Sequence, residues 1–255
     1  MSKPQATIIV QQTPLAAAQR AVDKTLAIIE ESTQRWSECF IALSGGTTPR
    51  ELYRLLAQPP AGDRVPWERI QIFFSDERDV APDHVESNYR LASSLLLDHV
   101  PIPLSHVHPM PADCRDMAAA AEQYENLIRR LAPPGENDLP QLDLVLLGIG
   151  GEGHVASLFP DTPALEERQR LVVSQYVPVI GRNRMTFTFP LINAARHVMF
   201  LATGADKANA VAGALSDDEA VRARYPASRV RPTKGELIFM LDAEAARGIA
   251  PLVQT

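Results

Sequence analysis

The sequence holds only two cysteines, Cys39 and Cys114, and their positions match neither a metal-ligand spacing nor a disulfide framework. A stapled secreted fold is thereby disfavoured, and a reducing compartment fits. No run of about 18 apolar residues occurs, and the first ten residues lack a basic segment leading into an apolar one. The expectation is a cytoplasmic protein with no membrane partner. Basic charge is also short: 25 Lys and Arg against 31 Asp and Glu leave a net charge of -6. This argues against a nucleic-acid partner, so any anionic ligand must be held by local cations and amides. Repeats and low-complexity tracts are missing, and His84, His99, His106 and His108 show no helical metal spacing with a carboxylate. What is present, 255 residues with 45% hydrophobic and 22% charged, is the composition of one ordinary globular α/β domain spanning residues 1–255.

The organising stretch is residues 144–160. It begins as the apolar run Leu144-Val145-Leu146-Leu147, as a strand buried on both faces of a parallel sheet requires, and breaks into four glycines within six residues, Gly148 to Gly153. Glycine admits positive φ and close approach of a ligand to backbone amides, so such a turn at the carboxyl end of a strand marks a site. Glu152 and His154 stand on it. A carboxylate beside one imidazole nitrogen fixes the tautomer and raises the basicity of the other, as a general base needs. The letters Gly148-x-Gly150-x-x-Gly153 also fit a dinucleotide fingerprint, but Pro160 and Pro163 stop any long helix, and no acidic residue follows about 20 positions on. The remaining competitor is a purely structural glycine turn.

Other strand ends carry similar signals. Phe40 to Leu43 runs into Ser44-Gly45-Gly46-Thr47-Thr48-Pro49 and then a helix from about Arg50 to Ala57, a natural phosphate cradle of unpaired amides at a positive dipole end. Ile70 to Phe74 ends in Ser75-Asp76-Glu77-Arg78-Asp79, where Arg78 suits an oxyanion or phosphate, against the alternative of a solvated charge run. Ser87 or Asn88 caps a helix expected to reach Leu97. The strand from His197 to Ala202 leads through Thr203-Gly204-Ala205-Asp206 to Lys207 at the start of the helix 208–215, a place where a bound anion would offset the unfavourable dipole. Further helices are expected at 14–31, 116–131 and 242–247. Further strands are expected at 7–10, 107–110, 171–176, 184–189 and 236–241, with a loop at 226–234.

The set Leu43-Ser44-Gly45-Gly46-Thr47-Thr48-Pro49, Asp76-Glu77-Arg78, Ser87-Asn88, Gly148 to Pro160 and Pro226-Ala227-Ser228 resembles the 6-phosphogluconolactonase family, in the family's order over nearly the whole chain. The resemblance implies a Rossmann-like α/β/α sandwich with a mostly parallel sheet, shared with glucosamine-6-phosphate deaminase and ribose-5-phosphate isomerase. It also implies hydrolysis of a small phosphorylated sugar lactone in the pentose phosphate pathway, with no metal or organic cofactor; a monomer or a homodimer is open. His154 then matches the general base, Glu152 its orienting partner, and Arg78 the oxyanion-stabilising arginine. Ser44, Gly45, Gly46, Thr47, Asp76, Asn88, Arg184 and Lys207 match the substrate and phosphate ligands. Glu152 replaces the family's usual Asp and Val155 its usual Thr. Lactone hydrolysis requires only an activated water and a cation for the growing oxyanion, in keeping with the lack of a Gly-x-Ser-x-Gly elbow. The related deaminases and isomerases differ at Phe159, where their pattern has a catalytic glutamate, and at Arg78, where it has Tyr. A non-catalytic sugar-phosphate sensor on the same fold would lack His154 or Arg78.

Overall fold

Strands rich in apolar residues and helices with a single apolar stripe can bury both only by layering, and the computed structural model, which describes residues 6–249, does so. The outermost stretches of the expected domain, 1–5 and 250–255, lie outside the described residues. A six-stranded sheet runs in the order β1 (Thr7–Gln11), β9 (Glu236–Asp242), β8 (His197–Ala202), β5 (Leu144–Leu147), β2 (Cys39–Leu43) and β3 (Ile70–Phe74). Every neighbouring pair is parallel. Its central strands are apolar at every position because helices cover both sides, the α/β/α arrangement expected. Helix α1 (Pro14–Trp36) lies across β1, β2, β8 and β9 and packs on α2 (Pro49–Leu56). A second, antiparallel sheet, β4 (Asp76–Arg78), β7 (Arg182–Phe187) and β6 (Val172–Val177), branches off the end of β3. Ser75 makes the corner: its amide donates to Leu43 O at 2.8 Å, and its carbonyl accepts from Phe187 N at 2.8 Å.

Several elements depart from the sequence expectation. Helix α1 begins at the Thr13 cap but continues to Trp36, past the expected 31, because Ser32 and Thr33 are buried and the Thr33 hydroxyl donates back to Ile29 O at 2.8 Å. Helix α3 (Asn88–Leu95) stops short of Leu97, where Leu96 leaves helical torsions with ψ of -64° and φ of -137°. Ser87 is its cap, accepting from Arg90 N at 3.1 Å. The strand expected at 107–110 is a single bridge from Val107 to Ile72. Phe189, expected at the end of a strand over 184–189, instead opens the short helix α5 (Phe189–Ala194), so the strand lies two residues earlier. The helix expected at 242–247 is a series of turns, since the Asp242 carboxylate divides itself between Ala245 N and the distant Gly204 N. Helices α4 (Met117–Leu131) and α6 (Ala208–Leu215) stand as expected, and the loop 226–234 contains one 3₁₀ turn at Pro226–Arg229.

Candidate active site

Parallel strands deliver all their carboxyl ends to one edge, so the turns after β2, β5 and β8, neighbours in the sheet, meet there. Between them lies a cleft of about 170 Å³ lined by Ser44, Gly45, Gly46, Thr47, Asp76, Arg78, His154 and Lys207, together with Gly148, Ile149 and Gly150. Three expected site residues stand just outside this lining. Glu152 lies behind His154, Asn88 behind Gly45, and Arg184 one strand over from Arg78.

The turn after β2 is held from below by Tyr53, fully buried in α2, whose hydroxyl donates to Ser44 O at 2.6 Å and accepts from Ser44 N at 3.1 Å. Gly46 has φ of +92°, which only glycine adopts at little cost. Gly45 answers a different need: a Cβ there would stand 1.7 Å from Asn88 Oδ1. Thr48 makes no side-chain cap, so the first-turn amides of α2 are left without one.

On the far side of the turn, β4 is no solvated charge run. Asp76 and Glu77 are both buried. Glu77 accepts from the Asn88 and Tyr89 amides at 2.8 and 2.9 Å and from the Ser87 hydroxyl at 3.0 Å, closing the amino end of α3. Burial nevertheless lifts its carboxyl above the ordinary range, against the pull of those amides. Asp76 accepts from Asn88 Nδ2 at 3.0 Å and from the Ser157 hydroxyl at 2.7 Å, and Ser157 N donates to Thr186 Oγ1 at 3.1 Å. Asp76 therefore ties the loop carrying His154 to the cradle side of the cleft.

That loop places the imidazole. Gly153, with φ of +85°, turns the chain against Tyr225, and Gly150 N donates to His154 O at 2.9 Å. The His154 ring meets Glu152 at 2.9 Å, Nδ1 to Oε1. The hydrogen bond with His154 is the main reason that the Glu152 carboxyl is pushed down to about 2, with Lys207 adding a smaller pull. Glu152 is thus anionic at neutral pH, which places the ring proton on Nδ1 and leaves Nε2 as the basic nitrogen.

The cations complete the cleft. The Arg78 guanidinium donates to Glu86 O, and its Nε is buried with no hydrogen-bond partner among the described residues. Arg184 is paired with Arg78 across the β4–β7 ladder, with Asp79 at 3.9 Å, and its side chain is 14% exposed. Burial, and then the neighbouring Arg78, depress its guanidinium from the ordinary value. Two guanidiniums brought together and partly dehydrated favour an incoming anion. Lys207 follows Gly204, whose φ of +95° suits glycine, and its only described ion-pair partner is the exposed Asp206 at 3.0 Å. The amide of Gly204 is fixed by Asp242 at 3.0 Å.

Sequence reasoning did not find Ser157, Tyr53 or the close approach of Gly150 to His154. Ser157 meets Asp76 across 81 residues, so no local pattern signals it. Among the described residues no cluster of His, Cys, Asp and Glu could hold a metal ion, and no helix is long and apolar enough to cross a membrane.

Residues 12–239 match the family described as glucosamine-6-phosphate isomerases/6-phosphogluconolactonase. A 6-phosphogluconolactonase of Synechocystis sp. is 44% identical over 211 residues, covering 83% of this chain and 85% of that one. One of Nostoc sp. is 39% identical over 241 residues, covering 93% and 95%. The solved structure of 6-phosphogluconolactonase from Trypanosoma brucei matches with a TM-score of 0.85 at 32% identity, over 96% of this chain and 99% of the other. With the fold, the cleft and these relatives in agreement, the chain belongs to the glucosamine-6-phosphate isomerase/6-phosphogluconolactonase family.

Proposed function

We propose that the chain hydrolyses 6-phospho-D-glucono-1,5-lactone to 6-phospho-D-gluconate, the second step of the oxidative pentose phosphate pathway. The observation that carries this reading is the His154–Glu152 pair, 2.9 Å apart, opening on a cleft shared with Arg78 and the Gly45–Thr47 amides. His154 Nε2 takes a proton from water as its oxygen attacks the lactone carbonyl carbon. The carbonyl π electrons move to oxygen, beside the Arg78 guanidinium. The tetrahedral intermediate collapses by breaking the bond to the ring oxygen, which takes the proton back from the imidazolium. Glu152 offsets the charge on the ring between these two transfers. The phosphate rests on the amides of Gly45, Gly46 and Thr47 with Lys207 and Arg184, while Ser44, Asp76 and Asn88 shape the sugar side. The proposal extends to a single-domain cytoplasmic protein acting on a small molecule as monomer or homodimer; the free thiols, buried Cys39 and exposed Cys114, support the reducing compartment.

The deaminase reading is not favoured. The place of its glutamate is taken by Phe159, whose ring lies on His154 with centroids 4.1 Å apart. The test offers the purified protein both 6-phosphogluconolactone and glucosamine 6-phosphate, subtracting spontaneous lactone opening. Acid release from the first without ammonia from the second is expected, and His154→Ala, folded by circular dichroism, should lose about 10²- to 10⁴-fold in rate. Ammonia release, or undiminished lactone hydrolysis by the variant, overturns the reading.

A further inference from the structure

Phe159 is buried, at 5% exposure, yet among the described residues it is not part of the continuous apolar core that takes in Val155 and Leu158 beside it. Its ring lies instead on the imidazole of His154, with planes inclined by 19°. The backbone arranges this. Leu158 N donates to Val155 O at 2.8 Å, the two residues form an antiparallel bridge, and Ala156 takes φ of +48° within the reversal. Residues 154 and 159, flanking the reversal, are thereby set across from each other. Thr162 holds the far side, its hydroxyl donating to Phe159 O at 2.7 Å. The imidazole is therefore confined by Glu152 at Nδ1, by the bare Cα of Gly150 close against Nδ1 and Cε1, and by the phenyl ring on one face.

We propose that Phe159 is a positioning residue for the hydrolysis and that its π face stabilises the imidazolium formed when His154 takes the proton of the attacking water. This rests on His154 being the base. A neutral imidazole on a phenyl ring gains only dispersion and a weak quadrupole contact. Once protonated it is a cation over the negative face of the ring, well inside the distance of about 6 Å at which that attraction operates. The contact therefore strengthens as the proton moves. An interaction that grows toward the transition state raises kcat and leaves KM largely alone. Leucine at this position fills much of the volume without a π face, whereas tyrosine keeps one.

The experiment measures kcat and KM for the unaltered protein, Phe159→Tyr, Phe159→Leu, His154→Ala and the double variant His154→Ala with Phe159→Leu, each checked for folding by thermal melting. Phe159→Leu should lose about two- to thirtyfold in kcat with KM nearly constant, and Phe159→Tyr should restore kcat to within about twofold. In the His154→Ala background the leucine should cost nothing further. Phe159→Met replaces Phe159→Leu in every comparison if the latter does not fold. An unchanged kcat in the leucine variant, a loss confined to KM, or an equal loss with and without His154 overturns the proposal. Full activity of His154→Ala alone overturns the assignment of the base, and is told apart by that single variant.

Discussion

A methyl group at Gly150 should uncouple the imidazole from its carboxylate with both side chains left unsubstituted. A Cβ built there stands 2.1 Å from His154 Nδ1 and 2.3 Å from Cε1, whereas ordinary contact begins at 3.4 Å, so the ring must retreat by about 1.3 Å. Retreat toward its stacked face is blocked by Phe159, and displacement along the edge breaks the 2.9 Å bond to Glu152. Misplacing a reacting group by about 1 Å costs on the order of a hundredfold in rate, equivalent to about 2.7 kcal/mol. Gly150→Ala should therefore lose about a hundredfold in kcat. Its thermal midpoint should move little, because the displaced ring is a partly exposed loop side chain outside the apolar core. Gly151, the next residue of the same loop and outside the cleft lining, is the internal control: among the described residues a Cβ there meets only Asp206 O at 3.8 Å, an ordinary contact, and Gly151→Ala should keep kcat within about threefold. The assay follows acid release from 6-phosphogluconolactone at saturating substrate, with spontaneous opening subtracted. A folded Gly150→Ala protein with kcat close to that of the unaltered chain would refute the argument that the His154–Glu152 geometry sets the rate.

Two other outcomes follow from the same cleft. Arg184→Ala or Lys207→Ala should each weaken kcat/KM for the phosphorylated lactone by about ten- to a hundredfold, the value of one charge-assisted contact, and leave free gluconolactone much less affected; equal losses on the two substrates would remove that residue from phosphate binding. Glu152→Gln should lower turnover, since an amide holds the ring without offsetting its charge, whereas Glu152→Asp, the family's usual residue, should retain or raise activity where the loop backbone sits as in the family and lower it where the loop is fitted to the longer Glu. The folded Glu152 carboxyl sits at about 2 against 4.5 when unperturbed, so its stabilising contribution is full above about pH 4.5 and fades as pH falls toward 2. Melting curves should accordingly show the gap between the unaltered protein and Glu152→Gln narrowing over that window, and a gap constant down to pH 2 would contradict it.

Much of this was legible because the signals were local. Strands β2, β3, β5 and β8 are apolar at nearly every position, and the turn after each carries its own residues: glycines, charges or Lys207. What escaped were decisions made at long range. The separate sheet of β4, β6 and β7 could not be read, since Arg182-Asn183-Arg184 carries no apolar alternation and is made a strand by pairing with Gln175, Tyr176 and Val177, while 76–78 joins it only from Arg184 to Thr186. The helix expected at 242–247 gives way because the Asp242 carboxylate reaches Gly204, 38 residues away in sequence. Ser157 and Tyr53 bear no chemical mark of their partnership with the site; their partners identify them.

The pairing of β1 with β9 has a consequence for the order in which the molecule can be completed. Strand β1 ends at Gln11, and among the described residues its sole sheet neighbour begins at Glu236. At a ribosomal pace of about 5–20 residues per second, the first strand waits roughly 10 to 45 s for its partner to be made. Strand β9 also delivers Asp242, which pins the Gly204 turn ahead of Lys207. A nascent chain halted before this strand would already carry His154, Glu152 and the glycine cradle, yet it would have an unpaired sheet edge and a lysine with no fixed seat. Closing the edge and seating the lysine both await β9, so the last of the described strands to emerge brings structural and chemical competence together.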